Sequence, residues 1–294
     1  MSLRPTKAFH PYAMLAPTLV LLGLFSIVPL GVAFHRSFFA WDLLTPAEPV
    51  GFDNYRFLWS SGELLEVGWR TLAYSVVVVS ASLTLGLALA LALNREGRFY
   101  AFVRSAVFSA YVVSWVAVGL LWLWLLDPQA GLVARVTRGL GWTPVDWLGN
   151  PKVVLFTLAG VTVWKITGYA MVIFLAGLKD VPRSVLEAAA LDGAGPWQRF
   201  HRIVWPLLRP TAAFVGTTSL ILSFQAFDIV RVMTQGGPVR SSTIFVYAIY
   251  EQVFVNLRIG RASALTVVFF LLLVGLTGLQ WRWWRNRPRA KTTL

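Results

Sequence analysis

The chain has 294 residues, 57% of them hydrophobic and 13% charged, where a soluble domain carries about a quarter charged. Its net charge of +13 lies mostly between and beyond apolar runs rather than along one amphipathic face, the pattern of a membrane protein and not of a nucleic-acid binder. Cysteine is absent, which excludes disulfides, thiol catalysis and cysteine metal sites, and His10, His35 and His201 are too scattered for a histidine metal site.

Six apolar runs, at about 12–34, 71–93, 105–126, 153–178, 211–233 and 261–283, match the roughly 30 Å hydrocarbon layer of a bilayer. They are continuous rather than alternating, which argues for helices and against barrel strands. The expected fold class is therefore an all-α integral membrane protein of about six transmembrane helices. The first run follows Arg4 and Lys7 and extends from about Ala13 to Ala33. That is longer than a signal-peptide core, and no small-x-small cleavage site follows, so it reads as a retained helix.

In the second run Gly86, Ala88, Ala90 and Ala92 alternate with leucine. Small residues four apart allow neighbouring helices to approach closely, and ordinary lipid-facing helix formers account for them equally well. Trp122 and Trp124 close the third run, and Trp281, Trp283 and Trp284 close the sixth, as interfacial aromatic belts do. Lys165 falls near the middle of the fourth run, flanked by Thr162, Thr167 and Tyr169. An ionisable residue at that depth faces the bundle interior or an aqueous cavity. Two roles fit it: a wall of a translocation pathway, or a structural contact between helices.

Between the fourth and fifth runs, Lys179 to Pro210 is too long for a plain connector. Ser184 followed by Glu187 is a capping-box pattern that predicts a helix from Val185, through the strong helix formers Glu187 to Leu191. Asp192-Gly193 stops it, and Gly195-Pro196 turns the chain into a second helix. Along that second helix Trp197, Phe200, Ile203 and Val204 share one apolar face, with Pro206 and Pro210 leading into the next span. Read from the residues, this helix-turn-helix is inert packing or a docking element for a soluble partner.

In the fifth run Thr217, Thr218, Ser223, Gln225 and Asp228 suit a hydroxyl-rich solute. Asp228 and Arg231, three apart, are placed to pair on one helix face, and Gln225 is the better candidate for substrate contact. Thr234 to Gly260 contains the turn cluster Gln235-Gly236-Gly237-Pro238 and an apolar stretch, Ile244 to Val255, expected along the surface. Segments on one side of the spans hold fifteen Lys and Arg against eight on the other, which puts both termini and the Lys179–Pro210 loop in the cytoplasm.

The stretch EAAALDGAGPWQRFHRIVWPLLRP resembles the signature loop of ATP-binding-cassette importer permeases. Glu187, Ala188, Ala189, Asp192, Gly193, Ala194, Phe200, Ile203, Pro206 and Pro210 all fit that pattern. AGLKDVPRSVLEAAALDGAG and the segment Phe227 to Leu265 are similar to the carbohydrate-uptake branch, which includes permeases for glycerol-3-phosphate, maltose and trehalose. The resemblance implies the type I importer fold, with a coupling loop of Glu187, Ala188, Ala189, Leu191, Asp192, Gly193, Phe200 and Pro206 in which Glu187 to Leu191 contact an ATPase and Gly193 supplies the turn. It also implies a second homologous permease, two ATPase subunits that bind ATP and Mg, an extracytoplasmic solute-binding protein, and a prokaryotic cell membrane as the location. No phosphate-cradling G-x-x-x-x-G-K-S/T loop occurs, so ATP hydrolysis is expected in a separate subunit and no cofactor or metal in this one. The tentative pathway residues are Lys165, Tyr169, Thr218, Gln225 and Asp228. On this view residues 1–70 hold the N-terminal tail, first span and external loop, 71–283 the permease core, and 284–294 a basic tail. An ion-coupled secondary transporter is the competing class; it needs acids within the spans, and only Asp228 approaches that.

Overall fold

The computed structural model describes residues 9–285. Among them five helices are long and apolar enough to cross a membrane, and up to six if one bent pair of helices counts as a single span. The chain forms two compact units, one from the segment up to Leu65 together with the segment from Ala248 onward, the other from Glu66–Tyr247.

The first unit opens with α1 (Phe9–Leu22), which continues through a π-helical turn at Gly23–Ile27 into α2 (Val28–Arg36). A two-residue antiparallel pair, β1 (Phe39–Ala40) with β2 (Glu48–Pro49), follows, and then α3 (Asp53–Ser60). Asn54 ties this region together, its amide donating to the carbonyls of Ser37 at 2.8 Å and Phe39 at 2.9 Å. Asp42 caps the intervening turn, accepting from Thr45 N–H and Oγ1 and from Leu44 N–H. Those bonds, led by the one from the Thr45 backbone, hold its carboxyl below the ordinary carboxylate value.

The second unit is built on α4 (Glu63–Leu93), α5 (Arg98–Val112), α6 (Trp115–Leu125), α7 (Leu132–Gly139) and α8 (Val154–Lys179). It continues with α9 (Arg183–Leu191), α10 (Pro196–Arg199), α11 (Trp205–Phe224), α12 (Phe227–Met233) and α13 (Phe245–Tyr250). The last long helix, α14 (Ile259–Arg285), returns to the first unit. There the Ile259 N–H donates to the Trp41 carbonyl at 2.9 Å, and the Arg261 guanidinium stands 3.5 Å above the Phe57 ring.

The centre of the second unit is α8, with 16 of its 26 residues buried. Helices in lipid gain nothing by hiding apolar surface from one another, so close backbone approach has to hold them together. Gly168 supplies it toward α5: a methyl group there would stand 2.4 Å from the Val107 carbonyl oxygen. Gly86 does the same from α4, where an added Cβ would meet the Ala170 Cβ at 2.6 Å. Of the small residues expected to pack in α4, Gly86 and Ala90 are buried, whereas Ala88 and Ala92 are exposed. The stripe has a spacing of four, and alternation with leucine does not decide which residues face inward.

Two of the expected spans, the third and the fifth, differ most from the helices that form. The third is broken: α5 and α6 meet at Val113-Ser114 at an angle of 102°. The fifth begins earlier and ends earlier, because α10, a π turn at Phe200–Val204 and α11 make one continuous helix, Pro196–Phe224, and Gln225-Ala226 separates it from α12. The second helix of the loop is therefore the opening of the span and not a separate amphipathic piece. Ile244 to Val255 does not lie along the surface throughout; Ile244, Phe245, Tyr247 and Ala248 are buried, and Phe254 and Val255 are exposed. The belt expected at Trp281, Trp283 and Trp284 concerns side chains outside the described residues.

Candidate functional site

The α9 helix has no buried residue. Leu191 is 90% exposed and Trp197, just beyond the turn, 72% exposed. Two large apolar side chains in the open on adjoining short helices form a surface that intramolecular packing does not explain. Glu187 and Ala188 are exposed beside them, Ala189 is half-buried, and the segment is anchored at its base by buried Val181.

The local chemistry differs at its start from the capping-box expectation. Residue Pro182 is the N-cap, Arg183 is the first helical residue, and no side chain caps the end. Proline's fixed φ and missing N–H start the helix two residues before Val185, so Ser184 lies inside it. The stop matches the expectation. Gly193 has φ +81°, the Gly193 N–H donates to the Ala190 carbonyl at 3.1 Å, and the Ala194 N–H donates to the Ala189 carbonyl at 2.9 Å. These are the two bonds of a Schellman cap, with Asp192 as the C-cap residue. A Cβ on Gly193 would touch nothing, so glycine is needed for its backbone angle and not for room.

From Gly195 the chain re-enters helix at once, with the Gln198 amide oxygen accepting the Gly195 N–H at 3.3 Å. Trp197 packs edge-on to His201 at 4.3 Å, and the half-buried Phe200 faces Trp205 at 6.5 Å. Pro206 sits in the first turn of α11, where its lack of an N–H costs least, and the π turn before it absorbs the irregularity.

Lys165 has 2% of its surface exposed. Its ammonium donates to the carbonyls of Ala110 at 3.1 Å, Tyr111 at 3.0 Å and Val113, and lies 4.8 Å from the centre of the Trp115 ring. An ammonium has three protons, and three carbonyl oxygens take them. Those oxygens are the ones left without helical partners where α5 ends inside an apolar run, and carbonyls at that depth have no water to turn to. On the other side of the break Ser114 caps α6, accepting from the Ala117 N–H at 3.2 Å. The structural reading of Lys165 therefore rests on named bonds.

Beside this break Tyr169 stacks on Tyr111, ring centres 4.9 Å apart. A buried polar seam runs along α4: Tyr74 Oη and Thr162 Oγ1 lie 2.6 Å apart, Ser223 Oγ donates to Ser75 Oγ at 2.9 Å, and the Phe245 N–H donates to Thr71 Oγ1 at 3.0 Å. Thr218 is half-buried with its hydroxyl turned back to the Phe214 and Val215 carbonyls. Gln225 is exposed at the end of α11, and Asp228 and Arg231 are half-buried on α12. The expected pathway residues thus separate into Lys165 with Tyr169 at the broken span and Gln225 with Asp228 at the α11–α12 junction. Tyr111, Ser114, Tyr74 and Ser75 escaped the sequence reading. A signal existed for the α4 seam, since Thr71, Ser75 and Ser82 recur at helical spacing in an apolar run.

Residues 82–281 match the family described as the binding-protein-dependent transport system inner membrane component. The chain belongs to that family. This permease is 34% identical over 281 residues to the sn-glycerol-3-phosphate transport system permease protein UgpA of Rhizobium meliloti, covering 94% of this chain and 95% of the relative. It is 32% identical over 289 residues to the UgpA of Salmonella typhi, covering 95% of each. Its fold is similar to a chain of a bacterial ABC transporter involved in the import of the acidic polysaccharide alginate, with TM-score 0.82, 22% identity and 96% of each chain covered. A chain of the MetNI methionine ABC transporter is also similar, at TM-score 0.56, 16% identity, 77% of the permease and 96% of that chain. The permease is therefore an inner-membrane subunit of an ATP-binding-cassette importer with the type I fold, and the secondary-transporter reading falls.

Proposed function

We propose that this permease carries a sugar or a glycerol-phosphate-type solute across the membrane, driven by an ATPase that docks on α9. The observation that carries the proposal is the helix of the signature loop, with no buried residue, closed by a Schellman cap at Gly193, and joined through the four residues 192–195 to an unbroken helix from Pro196 to Phe224. Glu187, Ala188 and Leu191 meet the ATPase, with Leu191 and Trp197 as its apolar contacts. A displacement of the docked loop reaches the fifth span through only the four residues 192–195, with Gly193 and Ala194 held in the cap by backbone bonds. ATP and Mg are bound and used in the ATPase. This chain docks, transmits and opens a path.

The bias of Lys and Arg toward the segments flanking α9 supports a cytoplasmic position for the loop and both termini. The complete importer on this reading has a second homologous permease, two ATPase subunits and an extracytoplasmic solute-binding protein. The names of the relatives support an anionic, hydroxyl-bearing solute. Within the permease, the α5–α6 break supports a pathway wall at Tyr111 and Tyr169, since broken helices at membrane depth persist where they border protein or water. Thr218, Gln225 and Asp228 offer further hydrogen-bonding groups, and Lys165 acts as the strap that holds the break in shape.

The test is substrate-stimulated ATPase activity of the reconstituted complex, with glycerol-3-phosphate and with trehalose, comparing wild type with Glu187→Ala and Gly193→Asp. Variants that assemble but lose stimulation support the coupling role. Stimulation that survives both changes overturns it.

A further inference from the structure

Where α4 ends and α5 begins, a cavity of about 280 Å³ is lined by Asn94, Arg95, Glu96, Arg104, Lys179 and Arg183. Four cations share that wall with one carboxylate, and none of the four takes part in an ion pair among the described residues. Arg104 is held in place, one guanidinium nitrogen donating to the Leu93 carbonyl at 2.8 Å and to the Arg95 carbonyl at 2.9 Å. Arg95 in turn donates to Tyr100 Oη at 3.2 Å. These bonds run to neutral acceptors and Glu96 is the one carboxylate on the wall, so most of the positive charge stays uncompensated. Like charges gathered without a counter-ion cost free energy, and a bound anion offsets that cost.

A second cavity, about 410 Å³, adjoins the first and shares Arg104, Leu175 and Lys179 with it. Its remaining lining is mainly apolar, including Phe108, Val172 and Ala176, of which Val172 and Ala176 are exposed. Arg104 lies six residues inside α5, about 9 Å along the axis from Arg98, so the second cavity runs from the helix ends toward the apolar interior of the span. A basic recess at span ends, continued inward by an apolar groove, has the polarity of one kind of ligand: an anionic headgroup with its acyl chain attached.

We infer that the permease binds an anionic phospholipid here, with its phosphate among Arg95, Arg104, Lys179 and Arg183 and an acyl chain along Phe108, Val172 and Ala176. A free phosphate would use the recess and leave the groove empty.

Native mass spectrometry of the full-length permease, with whatever subunits co-purify, tests this by titrating phosphatidylglycerol, phosphatidylcholine of the same chains, and inorganic phosphate. Phosphatidylglycerol is expected to be retained about tenfold more than phosphatidylcholine, and the preference to shrink as ionic strength rises. The double variant Arg95→Gln with Lys179→Gln is expected to lose most of it, while Lys152→Gln with Arg202→Gln, exposed cations elsewhere, keeps it. Helix content by circular dichroism is recorded for both variants, and Lys179→Gln alone, expected to lose about half the preference on a logarithmic scale, replaces the double variant if that one does not fold. Equal retention of the two lipids, a preference untouched by the Lys179 change, or displacement of lipid by equimolar inorganic phosphate overturns the inference.

Discussion

The first span, Met14–Arg36, and the fourth, Val154–Lys179, both pass as membrane helices, yet no residue of the first is buried within the chain and 16 of the 26 in the fourth are. The more apolar of the two is the exposed one. Against lipid, bulk and apolarity suffice; against protein, a helix needs small residues for backbone approach and polar ones to satisfy groups that lipid cannot. Hydropathy therefore locates the membrane, and departures from hydropathy locate the core.

The largest effect that would sharpen this contrast comes from glycine. Replacing Gly168 by Leu forces α8 off the Val107 carbonyl, and a loss of about 3–5 kcal/mol, enough to abolish the folded protein in detergent, is expected. Gly23→Leu in the first span meets nothing within 4 Å and should change stability by less than about 0.5 kcal/mol. Thermal unfolding in detergent measures both, and equal effects would break the comparison.

Next is Lys165→Met, which leaves three carbonyls at the α5–α6 break without donors. We expect a loss of about 2–4 kcal/mol in the same assay, partly restored by Lys165→Arg. A variant of unchanged stability with a raised KM for solute would instead make Lys165 a substrate ligand.

Smaller again is Gly193→Ala, which forces a side chain into φ +81° and should cost about 1–2 kcal/mol locally. Hydrogen exchange at the Gly193 and Ala194 amides reads this directly, with protection elsewhere unchanged.

The smallest concerns acid. Asp127, beyond the end of α6, accepts from the Ala130 N–H at 2.6 Å and the Gln129 N–H at 2.9 Å, which hold its carboxyl below the ordinary 3.8. The folded pKa is depressed, so its contribution is present above 3.8 and is lost as pH falls through the lower folded value. Wild type minus Asp127→Asn should show a constant difference in unfolding temperature above pH 5 that disappears only below pH 4.

Much of this was legible in the residues themselves. The run at 153–178 and the end of the run at 71–93 were placed closely because Asp180 and Asn94 leave the hydrocarbon, whereas α4 begins eight residues before the expected start, at Glu63. The Gly193 stop was legible because only one residue type takes that backbone angle cheaply. The break at Val113-Ser114 was not, since SAYVVSWV contains neither proline nor glycine. It depends on Lys165, 52 residues away from Val113, and such a long-range partner leaves no local mark. The helical start at Arg183 was misjudged because Pro182 and Ser184 both signal a beginning, and the backbone constraint prevailed over the side-chain cap. The continuity from Pro196 to Phe224 was hidden by Pro206 and Pro210, which ordinarily interrupt a helix but here follow a π turn.

The way Lys165 is held has a consequence for the setting in which the permease works. Its partners are peptide oxygens, and a peptide oxygen has no proton to take up when the surroundings turn acidic. A carboxylate in the same place would loosen whenever the outside medium soured. Acidification leaves the three carbonyl acceptors at this bend unchanged, so the bend keeps its bonds as pH falls.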